Sequence, residues 1–313
     1  MITEVIVTGG AGFIGANIVK YLQNENFKIH VFDNLSTGNI DNLPKYGIDF
    51  HQIDLKTNYI KWPKINASKI FHFAANADVR GGIVDHNIDF SENLLVTKNA
   101  CDYAVCNEIK EFVFSSSATV YGEPDIFPTP ESFSSTQTSL YGASKNSCES
   151  FIEAYSNYGY FKSSIFRFVS WTGHGYSHGV IYDFVKKLLK DPTKLEILGN
   201  GKQIKSYLDV EDGVNGVCNI SNKHQMKSAV FNLGHYETMN VKELADIVCD
   251  EMDINNVNYL FTGGSRGWLG DSPLVHLDTK KAKEYGWEPK ISIEESIRKT
   301  VRYLIDDKSK IFR

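Results

Sequence analysis

The chain of 313 residues has few cysteines, and the five present (Cys101, Cys106, Cys148, Cys218 and Cys249) form no C-x-x-C pair and no Cys/His cluster with zinc-ligand spacing. That excludes a zinc-ribbon scaffold and a dithiol centre, and no metal site is expected. An odd, scattered set fits reduced thiols that pack as small apolar residues. No apolar run approaches the roughly 20 residues needed to span a bilayer. The start of the chain carries neither a basic stretch nor a small-residue cleavage site. The expectation is a soluble, cytoplasmic protein with no membrane partner. No block of Lys or Arg stands out and the net charge is −5, so the footprint of a nucleic-acid binder is missing. An anionic ligand must instead be held by a few local cations and backbone amides. Internal repeats, low-complexity segments and a clean linker are also lacking. What is there, 42% hydrophobic and 12% aromatic residues, suffices for a globular core.

Read in order, short apolar runs alternate with stretches of helical spacing. Candidate strands are Val5–Val7, Lys28–Phe32, Asp49–Ile53, Lys69–Phe73, Glu111–Phe114 and Ser163–Phe168, and helices are expected over Phe13–Gln23, Ile88–Val105 and Lys145–Tyr158. This alternation implies right-handed β-α-β units and an α/β, doubly wound parallel sheet of the Rossmann type. Ligands of such sheets sit at the carboxyl ends of the strands. Past residue 170 the rhythm changes. Helices are expected at Val180–Leu189, Val210–Ser221, Val241–Met252, Lys280–Tyr285 and Ile293–Ile305, a strand at Val230–Leu233, and a strand pair within Leu195–Leu208 around Gly199-Asn-Gly201. Residues 1–170 with about 209–235 are expected to form the dinucleotide domain. About 171–208 and 236–313 would form a smaller α+β substrate domain interleaved with it.

The first motif, Thr8-Gly9-Gly10-Ala11-Gly12-Phe13-Ile14-Gly15, places glycines at 9, 12 and 15 between a strand and a helix. Glycine lets the backbone turn sharply and approach a pyrophosphate, whose charge the N–H groups at the helix start (Phe13, Ile14) can meet. Asp33 follows 18 residues after Gly15, at the end of the second strand. A carboxylate there binds the adenosine ribose and repels a 2′-phosphate. Its neighbour is Asn34, with no arginine to receive that phosphate, so NAD is favoured over NADP.

The second motif is Phe114-Ser-Ser-Ser117-Ala118-Thr119-Val-Tyr121-Gly122 at a strand end, and Tyr141-Gly-Ala-Ser-Lys145 begins 24 residues beyond Ser117. Tyr141 and Lys145 share one helix face. An ammonium beside a phenol stabilises the phenolate, which can then act as a general base toward a sugar hydroxyl while Ser117 holds the same oxygen.

Together these motifs resemble the extended short-chain dehydrogenase/reductases, also called the NAD-dependent epimerase/dehydratase family, over Val5 to about Leu304. The resemblance implies Ser117, Tyr141 and Lys145 as the catalytic residues of an NAD-dependent enzyme. It also implies that Asp54-Leu55 meets the adenine, that Phe73-Ala74-Ala75-Asn76 lines the cofactor, and that Asn93 is the asparagine kept on the long helix. A homodimer joined through Ile88–Val105 and the Tyr141 helix is implied as well.

Within the family, the 4,6-dehydratases resemble one another in carrying an Asp-Glu pair where this chain has Ala118-Thr119, and the decarboxylases have a Glu at the second place. The 3,5-epimerising relatives use a Cys near this turn, and no Cys lies between Cys106 and Cys148. The stretch is instead similar to the UDP-galactose 4-epimerases. That similarity implies a 4-epimerase acting through a transient 4-keto sugar on a nucleotide-sugar substrate, a UDP-hexose before others. The alternatives are a 4-dehydrogenase that releases the keto sugar, for example from a GDP-linked mannose or heptose, and a non-catalytic NAD-sensing protein. Substrate contacts implied by the resemblance fall on Ser117, Thr119, Ser170, Val180, Lys205, Tyr207 and Arg266. Lys205 stands where relatives keep an arginine, which retains the charge without the bidentate fork. Ser170 stands where many present an asparagine, and Arg266 matches an arginine that grips the diphosphate.

Overall fold

A computed structural model describes residues 3–134, 136–306 and 311. Its centre is a parallel sheet of seven strands. In chain order the first six are β1 (Glu4–Thr8), β2 (Lys28–Asp33), β3 (Ile48–Gln52), β4 (Lys69–His72), β5 (Glu111–Ser117) and β6 (Lys162–Phe168), and the strand Ser228–Leu233 completes the edge beside β6. Across the sheet the order is Ser228–Leu233, β6, β5, β4, β1, β2, β3. The reversal between β4 and β1 is the topological switch at which a doubly wound sheet opens a crevice.

Strand residues alternate between two apolar layers, as a period of two requires. Val5, Val7, Ile29, Val31, Val113, Phe166 and Phe168 enter one core, while Ile6, Phe32, Phe112, Phe114 and Ile165 enter the other. The helices that close these layers are α1 (Phe13–Gln23) and α6 (Val210–Lys223) on one face, and α3 (Val96–Cys106) and α4 (Leu140–Asn157) on the other. The short α2 (Gly81–Val84) lies between β4 and α3. A third core brings together α5 (Val180–Lys190), α7 (Val241–Glu251) and α9 (Ile293–Ile305) through Phe184, Leu188, Leu244, Val248, Ile297 and Val301. The five-residue α8 (Lys280–Glu284) packs Ala282 against the first layer. All five cysteines are unpaired, and no described helix is long and apolar enough to cross a membrane.

Three expectations change. The helix expected over Ile88–Val105 contains a wider π turn, Phe90–Leu95, before α3 begins; such turns re-aim side chains, and this one carries the buried Asn93. The strand pair expected within Leu195–Leu208 does not pair with itself. Lys194–Ile197 runs parallel to Asn258–Phe261, whereas Ile204–Lys205 pairs with Leu274–Val275 and Met239–Asn240. The carbonyls of Gly199 and Gly201 are taken by the N–H groups of Gly263 (2.9 Å) and Lys242 (3.0 Å). Distant partners thus satisfy the backbone that a hairpin would have used. Helix α4 also starts five residues earlier than its predicted Lys145, because Ser139 caps it by accepting from the Gly142 N–H at 3.0 Å.

Among the glycines, the tightest approach to backbone is at the β1–α1 turn. A Cβ on Gly15 would stand 2.2 Å from the Gly9 carbonyl oxygen, and one on Gly9, whose φ is +65°, would stand 2.6 Å from the Ala74 nitrogen. Both obstacles are backbone and cannot swing aside. Gly15→Ala is therefore expected to cost about 1–3 kcal/mol or more, measured as a lower urea midpoint with an unchanged slope; wild-type stability would show that the turn relaxes freely.

Candidate functional site

The turn after β1 offers the N-terminus of α1 without a competitor. Gly12 occupies the cap with no side-chain bond, and the first turn holds no acidic residue. The N–H groups of Phe13, Ile14 and Gly15 and the positive end of the helix dipole there suit a phosphate. Asp33, at the end of β2 and buried, accepts from the Ala11 N–H through Oδ2 at 2.9 Å and from the Leu35 N–H through Oδ1 at 2.8 Å. The Ala11 carbonyl in turn accepts from Asn42 Nδ2 at 2.9 Å, so the glycine turn is tied to the segment after β2 on both sides. Asn34 turns its Oδ1 to the Ser36 N–H. No cation is paired with Asp33 among the described residues, and its sequence neighbour is Asn34 rather than an arginine. These groups fit a dinucleotide whose ribose is unphosphorylated.

Beyond β3, Asp54 is half exposed and 3.7 Å from Lys56 Nζ, while Leu55 is buried and its carbonyl accepts from Asn99 Nδ2. Past β4, Ala74 and Ala75 border the crevice where Gly9 approaches Ala74. Asn93, 1% exposed, accepts from the Asn76 N–H at 2.8 Å and donates to Ser144 Oγ on α4 at 2.9 Å.

The Ser117, Tyr141 and Lys145 side chains meet where β5 ends and α4 begins. Ser117 caps the short turn Ala118–Tyr121. Its Oγ accepts from the Thr119 N–H (3.2 Å) and the Thr119 hydroxyl (2.9 Å), which leaves its own O–H to donate. Tyr141 lies in the first turn of α4. Lys145, one turn on and 3% exposed, donates to the Ser115 carbonyl at 2.9 Å and stands 5.9 Å from the Tyr141 ring centroid. Burial dominates both groups. It pushes the Tyr141 phenol above its ordinary value, with Asp89 adding to the rise and a hydrogen bond with Ser117 opposing it. It pulls the Lys145 ammonium down to about 8, against Cys148, Glu149 and Asp89. Desolvation outweighs the hydrogen bond with Ser117, so the phenol stands above its ordinary value.

A second group gathers around the loop 263–271. Lys205 Nζ donates to Asp271 Oδ1 at 2.7 Å and to the Ser272 carbonyl. Arg266 forks onto Glu123, with Nη1 to Oε1 at 2.5 Å and Nη2 to Oε2 at 2.7 Å, and Nη1 also meets the Asp271 carbonyl at 2.8 Å. Two observations join this group to the first. Glu123 follows the Ser117–Gly122 turn directly, and a Cβ on Gly270 would lie 3.0 Å from the carbonyl of Thr138, three residues before Tyr141. Exposed Ser170 pairs in register with buried Tyr207. Val180 opens α5 and packs against the third core. Sequence reasoning did not single out Glu123 or Asp89, nor Asp271 as the partner of Lys205. Asp89, four residues before Asn93 on a helix, carried a usable signal; Glu123 carried none, since its partner is 143 residues away.

Residues 5–234 match the family described as NAD dependent epimerase/dehydratase. The chain belongs to that family. It is an enzyme of it, with NAD as cofactor. A protein of Methanocaldococcus jannaschii provisionally named UDP-glucose 4-epimerase is 31% identical over 309 residues, which cover 96% of this chain and 98% of that one. A crystal structure of UDP-galactose 4-epimerase superposes with a TM-score of 0.89 at 31% identity, covering 97% of this chain and 99% of the other. That of UDP-glucose 4-epimerase with UDP-glucose from Thermotoga maritima gives 0.89 at 27%, with the same coverage.

An anion gripped by Arg266 has to displace Glu123, whose carboxyl the guanidinium holds below its ordinary value. Glu123→Gln removes that competing charge. Titration calorimetry with inorganic pyrophosphate is expected to show severalfold tighter binding, with the gain fading as salt rises; equal affinity would mean that Arg266 does not take the anion.

Proposed function

We propose that the protein is a UDP-sugar 4-epimerase in which Ser117, Tyr141 and Lys145 carry the chemistry. One observation favours this reading over the other reactions of the family. The positions next to Ser117 are Ala118 and Thr119, and the Thr119 hydroxyl is spent on Ser117 Oγ. No carboxylate stands there to remove water or carbon dioxide. The names of the relatives supply the UDP-sugar class. Residues 171–208 and 236–313 are proposed as the substrate half, with Lys205, Tyr207, Ser170, Val180 and Arg266 around the nucleotide sugar.

In this mechanism the Ser117 O–H and Tyr141 phenol hold the sugar C4 hydroxyl oxygen. Tyr141 removes its proton as general base and returns it as general acid. Lys145 stabilises the phenolate that exists between those steps. Bound NAD supplies the acceptor and donor for the C4 hydride. The closed wall around Lys145, with its 3% exposure, excludes water from that exchange. Turning the 4-keto ring before the hydride returns distinguishes an epimerase from a 4-dehydrogenase. Phe90, in the π turn before α3, and Phe151 on α4, exposed at 56% and 43%, support the proposed homodimer across Ile88–Val105 and α4.

The test is to mix the protein with UDP-glucose, UDP-galactose and GDP-mannose, identifying products by NMR while following reduced-nicotinamide absorbance. Appearance of the C4 epimer without accumulating NADH is the expected result; a 4-keto product with lasting NADH would overturn it in favour of the dehydrogenase. Tyr141→Phe is expected to lower turnover by about 10²–10⁴-fold while NAD still co-purifies, and retained turnover would remove Tyr141 from its role.

A further inference from the structure

One buried carboxylate beside the Tyr141–Lys145 pair has no part in the scheme above. Asp89 is 1% exposed. Its Oδ1 accepts from Asn76 Nδ2 at 2.9 Å and from Asn93 Nδ2 at 3.2 Å, whereas Oδ2 has no hydrogen-bond partner among the described residues. Leaving a carboxylate oxygen dry and unbonded is costly unless the charge serves something nearby. The fold makes room for it: a Cβ on Gly82 would stand 2.5 Å from Oδ2 and 3.1 Å from the Leu140 Cβ. The carboxylate therefore sits close to the first residue of α4.

Its contacts converge on the reacting pair. The Asn93 Nδ2 that reaches Asp89 also reaches Ser144 Oγ, and that hydroxyl donates to the Tyr141 carbonyl at 2.8 Å. Glu149, the other carboxylate facing Lys145, is already claimed by Arg167, with Nε to Oε1 at 3.0 Å and Nη2 to Oε2 at 2.7 Å. Asp89 has no Lys, Arg or His within ion-pair distance among the described residues. We propose that Asp89 is a positioning residue for Tyr141 and Lys145. Its carboxyl anchors Asn76 and Asn93 against α4 and, among the described residues, faces the pair with no cation in ion-pair contact. The proposal rests on Tyr141 and Lys145 being the reacting pair.

The charged and titratable groups around the pair set the sign of its effect. From α4 come Cys148 and Glu149, both holding the Lys145 ammonium up, and from β4 comes His72, which burial keeps neutral with its pKa down at about 3. Asp89 raises both Tyr141 and Lys145. Its own carboxyl is raised by burial and by Asp78, while Asn76, Lys145 and Asn93 lower it. Removing a negative charge lowers the proton affinity of every neighbour, so both reacting groups must titrate at lower pH without it.

Asp89→Asn keeps the shape and an acceptor oxygen for both amides while deleting the charge. Both limbs of the pH–turnover profile are expected to move toward acid by about one pH unit. In cofactor-free protein the ultraviolet phenolate signal of Tyr141, isolated by subtracting the matching Tyr141→Phe variant, is expected to move the same way. Fixed limbs and an unmoved phenolate signal, with only the rate reduced, would overturn the proposal. Should Asp89→Asn fail to fold, carbon-13 NMR of labelled aspartates decides: one carboxyl is expected to titrate higher in Lys145→Met than in wild type, and its absence overturns the proposal. Full turnover in Tyr141→Phe would overturn the underlying reading as well, whereas fixed limbs with Tyr141 essential would overturn Asp89 alone.

Discussion

Backbone meets backbone where β1 turns into α1, and the remainder of the site is arranged around that contact. Gly9 lies against the Ala74 nitrogen and Gly15 against the Gly9 carbonyl at distances that no Cβ could share. Because β1 lies between β4 and β2 in the sheet, one tight turn simultaneously brings Ala74 from one neighbour and Asp33 from the other beside the uncapped start of α1. Asp33 then locks the turn from below through the Ala11 N–H. A cradle for a dinucleotide follows from a packing constraint on two glycines, with no side chain needed to make the phosphate subsite.

The same closeness governs the chemistry. The ends of β5 and α4 bury an ammonium, a phenol and a carboxylate within one small volume, and desolvation acts on each in the direction of neutrality. It raises Tyr141, lowers Lys145 and raises Asp89. Three groups so poised respond strongly to any added charge, and a dinucleotide cofactor brings several. The site is held in shape by the Asn76–Asn93–Ser144 hydrogen bonds rather than by ion pairs.

The group around the loop 263–271 is organised differently. Its two cations are matched one to one, Lys205 with Asp271 and Arg266 with Glu123. A chain of net charge −5 presents no long-range field to draw in an anion, so an anion binding at this group would have to exchange with one of these local partners. At roughly 40% exposure on each side, the Arg266–Glu123 contact contributes little to stability and can open without disturbing the core.

How much of this was legible beforehand depends on the range of the interactions involved. Strand and helix alternation, the glycine spacing, Asp33 at a strand end and the four-residue step from Tyr141 to Lys145 are properties of short segments, and the folded chain places them as those segments dictate. The π turn at Phe90–Leu95 was not visible, and neither was the parting of Lys194–Ile197 from Ile204–Lys205, which backbone groups more than 30 residues away decide. The same holds for charge. Sequence alone determined which titratable residues exist and which lie on one helix face. Only the tertiary structure decided that Glu123 meets Arg266, that Arg167 neutralises Glu149, and that Asp89 stays unpaired beside Lys145. Pairing and desolvation depend on neighbours in space, and a linear pattern specifies neighbours only within a turn or a strand.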